Sequence, residues 1–131
     1  MRIALMRCIW ISLVAMALPA GATDRSWPGA APCATTLQAC LDGAVDGDRV
    51  LIATNATIGE DISLYNRSLT LTAADGYTPT FGNAHWLSIT SAPIAGDQTV
   101  SVSRLRFVDG YVYVNYNGTG TGTHCFLINI R

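Results

Sequence analysis

Short stretches of alternating apolar and polar residues recur along this chain. RVLIA (Arg49 to Ala53), SLTLT (Ser68 to Thr72), WLSIT (Trp86 to Thr90), RLRFV (Arg104 to Val108) and CFLIN (Cys125 to Asn129) each place an apolar residue second and fourth. Their starts, at Arg49, Ser68, Trp86, Arg104 and Cys125, are almost evenly spaced. Alternation with period two marks a half-buried strand. Its return about every 20 residues predicts a solenoid, in which each turn buries its inner face against its neighbours. Secondary strands are expected between these five, in ATIGEDISLY, TVSVS and YVYVNY. The phase of alternation switches between Val102 and Leu105, which predicts a corner at Ser103-Arg104. Ala95-Gly96-Asp97 reads as a turn, and Gly118 to Thr123 (GTGTGT) as a flexible protruding loop. A β-sandwich of about seven short strands would also explain alternation and turns. It would not explain why the same unit returns at a near-constant interval.

The start of the coil is marked differently. Residues 23–32 (TDRSWPGAAP) read as an extended lead-in, and residues 35–44 (TTLQACLDGA) as a short amphipathic helix. Thr35 or Thr36 can cap it, Leu37, Cys40, Leu41 and Ala44 share one face, and Gly43 or Gly47 can end it. Such a helix is expected to lie across the apolar first turn and its strand edges. No long helical pattern follows, which excludes doubly wound α/β folds. At the other end, Phe126, Ile128 and Ile130 alternate up to Arg131 with no capping element. The expectation is an all-β parallel coil of about 4–5 rungs over residues 33–131, uncapped at its C-terminal end. It would be a fragment of a longer protein, prone to self-association through that end.

The chain from Met1 to Ala22 predicts a secretory leader. Arg2 and Arg7 supply a basic start, Ile9 to Leu18 a short apolar run, and Ala20-Gly21-Ala22 an A-x-A cleavage site. The run is too short to span a bilayer, for which about 20 residues are needed, so no stable membrane span is expected after cleavage. The destination would be extracellular, cell-surface or periplasmic. The part beyond Ala22 has six arginines, no lysine and nine acids, a net charge near −3. No basic patch of the kind that neutralises phosphates is present, which argues against nucleic acid as a partner. Export would permit a disulfide between Cys33 and Cys40. A helix spanning both would hold them about 10 Å apart, so the bond requires Cys33 to precede the helix and fold back. Cys125 would be left as a small side chain at a strand start.

The segment Cys33 to Gly76 resembles the opening of secreted right-handed parallel β-helix proteins, the pectate-lyase-like superfamily. The matching parts are Thr36-Leu37-Gln38, Gly47-Asp48-Arg49-Val50, Ile58-Glu60-Ile62 and Ser68-Leu69-Thr70-Leu71. The resemblance implies a right-handed parallel β-helix. It implies less about function, because that superfamily holds lyases, hydrolases, esterases, epimerases and adhesins.

Enzymes of that superfamily commonly cluster carboxylates on an outward strand face. With the five beats aligned, the outward columns read Arg49, Ser68, Trp86, Arg104, Cys125 and Leu51, Thr70, Ser88, Arg106, Leu127, with no carboxylate. No catalytic residue, metal site or cofactor is therefore assigned. The candidate ligand contacts are Arg104 and Arg106, which can pair with the carboxylates of acidic sugars, Trp86, which can stack on a sugar ring, and Tyr111 and Tyr113. His85 and His124 read as incidental loop histidines, since no metal-ligand spacing surrounds them. The resulting expectation is a non-catalytic exported β-helix serving adhesion, polysaccharide contact or scaffolding. The alternative is the N-terminal segment of a polysaccharide lyase or glycoside hydrolase whose catalytic rungs lie elsewhere.

Overall fold

The computed structural model describes residues 21–91, 97–116 and 124–130. All but the last two residues of the predicted leader (1–22), the Ala95-Gly96 turn and the GTGTGT loop therefore lie outside the described residues. Among the described residues, ten strands and one helix follow in the order β1 (Asp24–Trp27), α1 (Leu37–Asp42), β2 (Arg49–Ile52), β3 (Thr57–Ile58), β4 (Ile62–Tyr65), β5 (Leu69–Ala73), β6 (Thr80–Phe81), β7 (Trp86–Ser91), β8 (Gln98–Phe107), β9 (Tyr111–Tyr116) and β10 (His124–Ile130). The pairings between them are parallel. They build a β-solenoid of about four turns with three faces. The first face stacks β1, β2, β5, β8 and β10, the second β3, β6 and the end of β8, and the third β4, β7 and β9.

Each turn folds because its inward positions are apolar and its corners accept unusual backbone angles. On the first face Val50 lies beside Leu71, Leu71 beside Val102, and Val102 beside Ile128. On the second, Phe81 and Phe107 stack at 4.9 Å. On the third, Ile62, Leu87 and Val112 align. Corners fall at Asn66, Asn83-Ala84, Arg104 and Asp109, all with left-handed backbone angles. Asn and Asp adopt that region more readily than most residues. Arg104 (φ 61°) bends β8 from the first face to the second, at the corner expected from the phase switch. Gly110 follows Asp109 where an added Cβ would come within 2.8 Å of the His85 carbonyl oxygen.

The stacking differs from the repeat read along the sequence. Three of the five beats, those in β2, β5 and β10, lie on the first face. WLSIT lies on the third, and RLRFV straddles the corner of the first and second. The step from turn to turn is also uneven. On the first face Arg49 stacks on Thr70, Thr70 on Ser101 and Ser101 on Leu127, three unequal intervals. On the third face Ser63 stacks on Ser88 and Ser88 on Tyr113, two equal ones. The five beats thus mix steps of a whole turn, as from β2 to β5, with steps of part of a turn, as from β5 to β7, and the columns drawn from them are not physical columns.

The lead-in also belongs to the coil. β1 pairs with β2 from Asp24↔Arg49 to Trp27↔Ile52 and covers that strand edge itself. The helix closes the interior, with Leu37, Cys40 and Leu41 fully buried. It is shorter than residues 35–44: Thr36 is its N-cap, accepting from Ala39 N at 3.0 Å, and Gly43 ends it. The Glu60 carboxylate accepts from Leu37 N (2.7 Å) and Gln38 N (3.2 Å), so the turn below satisfies free N–H groups at the helix start. At the other end Arg67 donates to the Ala44 and Asp42 carbonyls. A disulfide joins Cys40 to Cys33, which lies in the turn before the helix.

Candidate functional site

Among the described residues, most of the exposed aromatic side chains lie on the third face. Its regular step from turn to turn sets Trp86 and Tyr111 in one outward column, with Asp61, just before β4, hydrogen-bonded to the Trp86 backbone; Ser63, Ser88 and Tyr113 form the next column, and Tyr65, Thr90 and Asn115 a third. Trp86 and Tyr111 stack at 5.9 Å with 26° between their planes, and Tyr111 meets Tyr113 edge-on at 5.9 Å. Parallel pairing causes this. Strands one turn apart lie about 4.8 Å from each other, so rings in one column come to stacking distance without any special loop. Trp86 is 38% exposed, Tyr111 45%, Tyr113 60% and Tyr65 56%. Large rings left this open on a rigid sheet form a patch of the kind that contacts other molecules.

The rim of the ladder is polar and locally fixed. Asp61 Oδ1 lies 2.9 Å from His85 Nδ1 and accepts from the Trp86 backbone N–H at 3.2 Å. The Tyr111 N–H donates to the His85 carbonyl oxygen at 3.3 Å. Asp61 therefore orients the imidazole and the start of β7 together. Ser88 and Thr90 hydroxyls lie 3.2 Å apart beside the rings. His85, in the loop just before β7, is thus held against Asp61 at the edge of the ladder.

The five ligand contacts expected from sequence divide into two groups. Trp86, Tyr111 and Tyr113 come together on the third face. Arg104 and Arg106 do not join them. They line a groove of about 320 Å³ at the corner of the first and second faces, with Tyr77, Thr78, Leu105 and Asn129. Arg104 Nη1 donates to Asp75 Oδ1 at 2.8 Å, while Arg106 is exposed on the strand pairing with β6. Nor are the outward columns free of carboxylates. Asp24 heads the first-face column of Arg49, Thr70, Ser101 and Leu127, and Asp61 lies against the start of the aromatic one. The Arg49 guanidinium hydrogen-bonds Asp24 through two nitrogens and lowers its pKa. Among the described residues no group of three His, Cys, Asp or Glu side chains could hold a metal ion.

The placement of Asp61 and His85 beside the aromatic ladder is not legible in the shorter beat, which pairs WLSIT with the wrong strands. The signal is present in the chain: DISL, WLSI and YVYV begin at Asp61, Trp86 and Tyr111, two equal steps.

No family model matches the chain, and comparison with curated proteins and with solved structures finds no match.

Proposed function

We propose that this β-solenoid is an exported, non-catalytic carbohydrate-contact protein related to the pectate-lyase-like superfamily, and that its ligand is an extended polysaccharide or cell-surface glycan. The observation that carries the reading is the exposed Trp86–Tyr111–Tyr113 ladder. Sugar rings offer flat C–H faces for stacking and a hydroxyl rim for hydrogen bonds. The ladder offers exposed aromatic surface bordered by Ser63, Ser88, Thr90 and Asn115. A rigid array of this kind loses little conformational entropy on binding. The Arg104–Arg106 groove suits an acidic sugar, because guanidinium groups pair with carboxylates.

Titration calorimetry against soluble neutral and acidic polysaccharides tests the reading. Binding is expected, with Trp86→Ala weakening it at least about tenfold, as for a central aromatic contact. Absence of binding across a broad glycan array, or full affinity in Trp86→Ala, would remove the proposal.

A further inference from the structure

One residue just outside regular structure is held more firmly than its position demands. Thr23 precedes β1, yet its backbone nitrogen donates to Asp48 Oδ1 at 2.9 Å and its hydroxyl donates to the same oxygen at 2.8 Å. Its carbonyl oxygen accepts from Arg49 N at 2.9 Å. Asp48 is completely buried and also accepts from Arg25 Nε (2.8 Å) and Val45 N (3.0 Å) through Oδ2. Burial alone would raise its pKa, but the hydrogen bonds from Arg25, Val45 and Thr23 outweigh that and hold it well below the usual carboxylate range. Asp48 is thus an ionised carboxylate inside the protein with Thr23 N against it. Gly21 and Ala22, immediately before, are exposed and make no hydrogen bond with a described residue.

The grip begins at the residue that the A-x-A pattern Ala20-Gly21-Ala22 would leave first. We propose that hydrolysis of the Ala22–Thr23 bond by an export peptidase places the new Thr23 α-ammonium on Asp48, and that this buried ion pair locks β1 onto β2. Water adds across the peptide bond: the leader departs with the Ala22 carboxylate, and Thr23 keeps the nitrogen, which takes up a proton at neutral pH. The atom already 2.9 Å from Asp48 Oδ1 changes from a neutral amide to a cation. A neutral hydrogen bond becomes a charge-assisted one, roughly twice as strong. Arg25 and the ammonium then share the carboxylate, while Asp24–Arg49 pairs on the exposed side and Asp46 is engaged with Ser68 N. Processing thereby completes the first turn, and the leader-bearing chain carries a weaker one. The inference rests on the Asp48 geometry and is independent of the carbohydrate reading.

The full chain is expressed in an exporting host, and the first residue of the secreted product is read by N-terminal sequencing. Thr23 is expected. NMR titration of that product should place its α-amine pKa above the ordinary range of about 7.7–8.0. Selective acetylation of the α-amine should lower its melting temperature by about 4–8 °C, the shift expected for one charge-assisted contact in a domain of this size. In Asp48→Asn the same acetylation should change little. If that variant does not fold, the α-amine pKa and the acetylation shift of the natural product decide alone. A first residue other than Thr23, an α-amine pKa in the ordinary range, or a melting temperature insensitive to acetylation would each overturn the proposal.

Discussion

The N-terminal turn and the outer face of β4, β7 and β9 handle side chains in opposite ways. In the first, polar and charged groups are drawn inward and every one named has a partner: Asp48 takes four donors, Glu60 caps the helix start, and Arg67 takes its last carbonyls. In the second, the large rings of Trp86, Tyr111 and Tyr113 are exposed and contact one another. A solenoid end has to satisfy a strand edge and an apolar interior at once, so its polar groups have structural work. A solenoid side is already satisfied by its backbone ladders. Residues placed there are free of folding duty, and an aromatic concentration on such a side is informative about binding.

Substitution tests this contrast, and the largest effect is expected at Asp48. Asp48→Ala leaves Arg25, Val45 N and Thr23 N without their acceptor in a buried site. It should cost about 3 kcal/mol in denaturant unfolding. The same carboxylate sets a pH dependence. Because its folded pKa is depressed, its contribution is fully present above the unfolded value of about 4 and is lost progressively as pH falls below it. Urea midpoints measured from pH 7 down to pH 2 should decline in the natural chain and decline less in Asp48→Asn.

Next in size is the disulfide. Replacing Cys33 and Cys40 together by serine opens the short loop between them and should lower stability by about 2 kcal/mol, read as a shift in thermal midpoint relative to the oxidised chain. The smallest effect belongs to the aromatic face. Trp86→Ala and Tyr113→Ala should change unfolding free energy by no more than about 0.5 kcal/mol, as for exposed sites. A loss of several kcal/mol at Trp86 would mean that the ladder is part of the scaffold, and the contrast between the two regions would collapse.

Some of this is legible in the chain because it depends on neighbours in sequence. Alternation in RVLIA, SLTLT and YVYVNY follows from strand backbone geometry, the Thr36 cap and Leu37/Cys40/Leu41 stripe from helix geometry, and the Arg104 corner from a broken phase. The coil, its helix and most of its strands are therefore readable from local sequence, whereas β1 reads only as an extended lead-in and the two-residue β6 leaves no pattern. Which strand stacks on which is not. Corner lengths differ from turn to turn, so the step from Leu71 to its neighbour Val102 is longer than the step from Leu87 to its neighbour Val112. A constant interval cannot follow such a path. Only the three-dimensional stacking decided that Trp86 belongs with Tyr111 and Asp61 rather than with Arg104, and that Asp48 holds Thr23 from a full turn away. Those contacts are set by the hydrogen-bond register between turns, a non-local property in which a shift of one residue would exchange the inner and outer faces.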